Sequence, residues 1–68
     1  MLPDVNQMSK RRQIVFGADT AHTPEQIRLV RQAVADWLRQ HPEDEIVRRA
    51  ARKLDKTEDR LRQSGEWH

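Results

Sequence analysis

The chain of 68 residues holds 13 Lys and Arg against 11 Asp and Glu, which gives a formal net charge of +2, and it has no cysteine. This length allows one small domain, and the absence of cysteine excludes disulfides and thiolate metal sites. Charged residues make up 35% of the chain and aromatic residues 4%, so little apolar material is available for a core. We therefore expect a homodimer or another protein to complete the core, or a compact monomer in which residues 12–17 fold over the rest.

The first ten residues, MLPDVNQMSK, show no sustained periodicity and lack the apolar run of a signal peptide. No later stretch approaches the roughly 20 apolar residues of a membrane span. We expect a flexible leader over residues 1–10, a single small helical domain over residues 11–64 and a tail over residues 65–68. The expected location is the cytoplasm.

Residues 12–17, RQIVFG, have the composition of a short strand. Ile14, Val15 and Phe16 are β-branched or aromatic, and Gly17 ends the run. A single strand cannot stand alone. We expect it either to pair with the same strand of a second subunit or to pack as an extended arm on the helices.

A helix is predicted over residues 24–40. Thr23 is a suitable N-cap, Pro24 suits the first helical position, and Gln26 is placed to close a capping box. The helix carries one apolar stripe, whose members are Ile27, Val30, Val34, Trp37 and Leu38. Leu29 points away from this stripe and is a candidate contact with another molecule.

A second helix is predicted over residues 42–63, opened by Pro42 and by three carboxylates in its first turn. Its stripe consists of Val47, Ala50, Leu54 and Leu61. The stripe thins after Leu54 because Glu58 occupies the next apolar position, so we expect the helix either to continue with a solvated surface or to break near residue 55. The short connection makes the two helices antiparallel neighbours. The fold class is therefore mainly α, an antiparallel helical hairpin preceded by a short strand or arm.

The order of a basic strand and two antiparallel helices, together with the stretch DEIVRRAARKL at residues 44–54, resembles the ribbon-helix-helix family of DNA-binding regulators. Members of that family are dimers whose paired strands enter the major groove. The resemblance covers residues 10–54. It implies that Arg11, Gln13 and Val15 face the bases.

A second feature independent of that resemblance is a basic ribbon along the second helix, long enough to follow a phosphate backbone or an acidic protein surface. Candidate nucleic-acid contacts are Lys10, Arg11, Arg12, Gln13, Arg49, Arg52, Lys53, Lys56 and Arg60. The ordinary alternative is a solvated helix face. Glu45 precedes Arg49 by four residues and Asp59 follows Lys56 by three, so local pairing could neutralise part of the charge.

No nucleophile setting, phosphate loop or metal-ligand spacing is present, so we expect neither enzyme activity, nor a cofactor, nor a bound metal. Two functions remain. The first is a small DNA-binding transcriptional regulator that acts as a homodimer. The second is a helical protein-interaction module, such as an antitoxin, an anti-sigma-like protein or a phage or plasmid inhibitor, that regulates a larger protein. Its candidate contacts are Ile14, Phe16, Leu29 and Trp67, although Trp67 could instead cover the end of the core.

Overall fold

The structure is a computed structural model that describes the backbone of residues 5–67 and the side chains of residues 9–67. It contains three α-helices, α1 (Val5–Thr20), α2 (Pro24–Gln40) and α3 (Glu45–Gln63). Each helix packs against the other two. The prediction of a mainly α protein with two central helices is confirmed, and the described part of the chain adds a third helix in front of them.

The prediction of a strand or extended arm at residues 12–17 is wrong, because these residues lie inside α1. Ile14 and Ala18 are four residues apart, and both are buried together with Ala21 just beyond the helix end. In a strand Phe16 would share a face with Ile14 and Ala18, but it is exposed, so the burial pattern is that of a helix. Tertiary packing has therefore overridden the local preference of Ile14, Val15 and Phe16 for extended backbone. Residues 5–10 of the predicted leader also belong to α1, and residues 1–4 lie outside the described part.

The first helix runs parallel to α3 and antiparallel to α2. At one end Arg11 contacts Asp44, which precedes α3, and at the other end Asp19 contacts Lys53. The α1–α2 packing is close at Gly17, where a Cβ atom would come within 2.9 Å of Val30 Cγ2. Glycine at this position therefore lets the two helices approach.

The second helix has the predicted bounds and cap. The Thr23 side chain accepts a hydrogen bond from the Gln26 backbone N–H at 3.2 Å. The Gln26 side chain accepts a hydrogen bond from the His22 backbone N–H at 3.0 Å. In the predicted capping box it would accept from the Thr23 backbone N–H, one residue later in the chain. His41 ends the helix by donating its backbone N–H to the Trp37 carbonyl.

The third helix begins at Glu45 and not at Pro42. The predicted start was therefore three residues too early. Pro42 and Glu43 form a turn, and Asp44 is the N-cap whose side chain accepts from the backbone N–H groups of Ile46 and Val47. The helix then continues without a break to Gln63. Gly65 has a φ of 76°, and the Glu66 N–H donates to the Leu61 carbonyl, which is a glycine-type helix end.

Of the two alternatives at residue 55, the helix continues and does not break. The two acidic residues there have partners on α2. Arg31 donates to Asp55 at 2.7 Å and to Glu58 at 2.9 Å. Arg62 adds a third contact, to the other oxygen of Glu58 at 3.1 Å. The ion pairs with Arg31 and Arg62 therefore neutralise Glu58, which occupies the next apolar position of the α3 stripe.

The core is formed where the three helices meet. Ile27, Val47 and Leu54 are fully buried, and the four predicted stripe residues of α3 are all buried. Side chains of α1 cover the hairpin of α2 and α3. This is the compact monomer in which residues 12–17 fold over the rest, one of the expected ways to complete the core. A second copy is therefore not needed to close this core.

Candidate nucleic-acid interface

The outward side of α3 carries six cationic side chains that are all exposed to solvent. They are Arg48, Arg49, Arg52, Lys53, Lys56 and Arg60, and we call this set the basic face. On a helical wheel the basic face lies opposite the buried stripe, and on the described α3 only Glu45 and Asp59 place carboxylates within it. Five of its members are predicted candidates. Arg48 was missed, although its wheel position alone could have included it.

The basic face is not neutralised by its own helix. Among the described residues no ion pair joins Glu45 to Arg49 or Lys56 to Asp59, and the ion pairs of α3 lie on its flanks. Lys53 pairs with Asp19 of α1. The other five cations of the face form no ion pair within the part of the chain that the structure describes, so their charge is available to an external anion.

Arg11, a predicted base contact, is instead held at the junction of the three helices. Its Nε donates to Asp44 Oδ2 at 2.8 Å and its Nη2 donates to Asp44 Oδ1 at 3.0 Å. Such two-point contacts between guanidinium and carboxylate are geometrically specific. Arg11 therefore links α1 to the start of α3, and both its Nε and its Nη2 are engaged with Asp44.

Asp44 is the centre of this junction. Trp37 donates its indole Nε1–H to Oδ2 at 2.9 Å, and Ile46 and Val47 donate backbone N–H groups to Oδ1. The carboxylate is 10% exposed. The hydrogen bond from Arg11 lowers the pKa of Asp44 far below its usual range, helped by the bonds from Trp37 and Val47, while burial opposes the shift.

This lowered pKa predicts acid sensitivity. Because the folded-state pKa lies below the unfolded one, the stabilisation from Asp44 is complete above the ordinary Asp pKa of about 4 and is lost as the pH falls below it. We expect urea unfolding to show a stability difference between the wild type and Asp44→Asn that shrinks progressively between about pH 4 and pH 2. A difference that is the same at pH 6 and pH 2 contradicts this account.

The remaining candidates of residues 10–13 do not share one surface. Lys10 and Gln13 line a groove between α1 and α2 that also contains Leu29. Arg12 lines a different groove, between α1 and α3, with Phe16 and Ile46. Of Lys10, Arg12 and Gln13, only Arg12 therefore lines the groove between α1 and α3, which Arg11 also lines. The base contacts that the ribbon-helix-helix resemblance implies have no strand to carry them in residues 5–67.

The candidate protein contacts divide into buried and exposed side chains. Ile14 is a core residue at 6% exposure, which corrects its assignment to a contact surface. Trp67 packs against the core, with the guanidinium carbons of Arg28 and Arg62 at 5.2 and 5.0 Å from the ring centre. This is the self-packing alternative. Phe16 and Leu29 remain exposed, at 69% and 63%.

Ile46 is an exposed apolar residue that sequence reasoning left unassigned. It is 49% exposed and lines the groove with Phe16. On a helical wheel Ile46 lies at the shoulder of the α3 stripe. Its exposure depends on where α1 packs, which the sequence pattern does not specify.

Residues 5–67 contain no group of three or more His, Cys, Asp or Glu side chains arranged to hold a metal ion. None of the three helices is both long and apolar enough to cross a bilayer.

Fold and site together define a three-helix bundle whose third helix presents a basic outer face. Compared with known proteins, the chain matches no family model, no curated protein and no solved structure.

Proposed function

We propose that this protein is a small, non-enzymatic DNA-binding transcriptional regulator that acts as a homodimer in the cytoplasm and contacts DNA through the basic face of α3. The observation that supports the proposal is the set of five cations on that face with no ion pair inside the described chain. Surface cations are commonly answered by nearby carboxylates. In α3, Asp55 and Glu58 pair with Arg31 of α2, on the flank of the helix that faces α2. They therefore leave the basic face positive.

The dimensions of the face suit a nucleic acid. From Arg48 to Arg60 the helix rises about 18 Å at 1.5 Å per residue, which is about five phosphate spacings along one strand of a duplex. A major groove about 12 Å wide admits an α-helix. Arginine predominates on the face, and its planar donors suit phosphate oxygens and guanine edges.

The experiment is a measurement of duplex DNA affinity against salt concentration, with a matched pair of double variants. Arg49→Gln with Arg52→Gln removes two cations from the basic face. Lys10→Gln with Arg39→Gln removes the same charge from exposed positions elsewhere. We expect the first variant to bind at least about tenfold more weakly at 0.1 M salt and to reduce the slope of log affinity against log salt by about 2.

The control variant is expected to keep the slope of the wild type. Equal slopes for the wild type and the Arg49/Arg52 variant contradict the proposal, and so does a wild type that binds no duplex at about 20 mM salt.

The second candidate function is a protein-interaction module that regulates a larger protein. The exposed side chains Phe16, Leu29 and Ile46 favour it, because aromatic and aliphatic anchors are common contacts in protein interfaces. The two functions are separated by affinity purification with and without nuclease. A specific protein partner that survives nuclease treatment, and that binds the Arg49/Arg52 variant as well as the wild type, supports the second function.

A further inference from the structure

One face of α1 carries two apolar residues between two opposite charges. Arg12, Val15, Phe16 and Asp19 follow the i, i+3, i+4, i+7 spacing that places residues on one side of a helix. Val15 is half-buried, and Phe16 is the most exposed of the large apolar residues whose side chains the structure describes. We call these four residues the α1 stripe.

The α1 stripe continues onto α3. All four of its members line one groove together with Ile46 of α3 and with Arg11, whose guanidinium is already paired with Asp44. Single exposed apolar side chains are ordinary on a protein surface. Phe16 and Ile46 are different because they share a groove with Val15, so burying one of them also covers the others.

The two charges of the stripe lie at opposite ends. Arg12 and Asp19 are seven residues apart, about 10 Å along the helix axis. Arg12 forms no ion pair within the described residues. Asp19 receives Lys53 on Oδ1, and a carboxylate can accept further hydrogen bonds on its second oxygen.

This arrangement is complementary to itself. A two-fold axis that passes between Val15 and Phe16 sets two α1 helices antiparallel, with Phe16 of each copy against the apolar centre of the other. The same axis places Arg12 of each copy opposite Asp19 of the other, so the ion pair forms twice. In a two-fold interface residue i contacts residue j and residue j contacts residue i, which is the pattern that the stripe provides.

We propose that the α1 stripe and Ile46 form the homodimer interface, with a second copy of the chain as the occupant of the groove. A partner helix of a single charge would match only one end of the stripe, whereas a second copy matches both. The inference rests on the homodimer of the proposed function and names its surface. Arg48 and Arg52 lie about 160° and 120° around α3 from Ile46 and are the members of the basic face farthest from the interface, so they stay open to DNA. Lys53 lies about 20° from Ile46 and borders the interface, where it pairs with Asp19.

Charge reversal tests this interface by sedimentation equilibrium. Arg12→Asp places Asp opposite Asp19, and Asp19→Arg places Arg opposite Arg12, so each variant alone has two repulsive contacts. We expect each to dimerise at least about tenfold more weakly than the wild type. In an equimolar mixture every contact is again between opposite charges, and we expect wild-type association to return as a heterodimer.

Two further variants test the apolar centre. Phe16→Ser is expected to weaken the dimer, and Leu29→Ser, which changes an equally exposed apolar residue in the other groove, is expected to leave it unchanged. Circular dichroism checks that every variant is folded. The proposal is overturned by a wild type that is monomeric at about 0.2 mM, or by a mixture that associates no better than its components.

The outcomes separate this inference from the function it rests on. A monomeric wild type that still shows the α3-dependent salt slope on DNA overturns the dimer interface alone. A dimer with the expected charge-reversal behaviour that ignores DNA overturns the DNA-binding function and supports the interface.

Discussion

Replacement of Asp44 by Ala is expected to lower the free energy of unfolding by roughly 2–4 kcal/mol. The side chain caps α3, and the loss of such a cap costs about 1 kcal/mol. It also accepts the indole N–H of the buried Trp37, and a buried donor left without a partner costs about 1–3 kcal/mol. Urea or thermal unfolding followed by circular dichroism measures the change.

Two variants place limits on this interpretation. Asp44→Asn keeps a good N-cap and an acceptor but loses the charge that faces Arg11, so we expect an intermediate stability. Glu43→Ala removes an exposed carboxylate of the neighbouring turn, for which the described chain records no ion pair, and we expect a change within about 0.5 kcal/mol. Equal losses at positions 43 and 44 mean that the junction around Asp44 does not stabilise the fold.

Replacement of Val34 by Asp is expected to abolish cooperative unfolding. Val34 is 4% exposed and lies on the side of α2 that faces the core, so the substitution buries a carboxylate without a partner. The cost is several kcal/mol. A domain of this size has a total stability near the low end of about 5–15 kcal/mol, so the folded state is lost.

The neighbouring position supplies the control for Val34→Asp. Ala35 is exposed on the same helix, and Ala35→Asp changes helix propensity and net charge without burying the carboxylate. We expect Ala35→Asp to remain folded with a loss of about 1 kcal/mol or less. If the two variants unfold alike, Val34 does not face the core.

Local signals were sufficient for α2. Thr23 and Pro24 supply the start, and the chain must leave the helix before Pro42. These effects act over one helical turn and do not depend on the rest of the fold. The start of α3 was three residues off because Pro42 can either open a helix or occupy a turn. The choice is made by Asp44, whose carboxylate caps the helix while it also binds Arg11 and Trp37.

The error at α1 has a different cause. Its run of Ile14, Val15 and Phe16 favours a strand when considered alone, and only contact with α2 and α3 shows that Ile14 and Ala18 share a buried side. The packing of α1 against α2 and α3 also determined which predicted nucleic-acid contacts remain on the surface. Arg11 became an internal partner of Asp44, 33 residues away in the chain, while the basic face of α3 kept its exposure.

The sequence by itself determined the buried stripes of α2 and α3, the bounds of α2, the end of α3 and the position of five cations on one side of α3. Each of these follows from side chains that are no more than a few residues apart along a helix. The tertiary structure alone decided that α1 is a helix, that it covers the hairpin, and which exposed residues share a groove. These features depend on contacts between segments far apart in the chain, where the geometry of packing and the satisfaction of buried polar groups outweigh local preference.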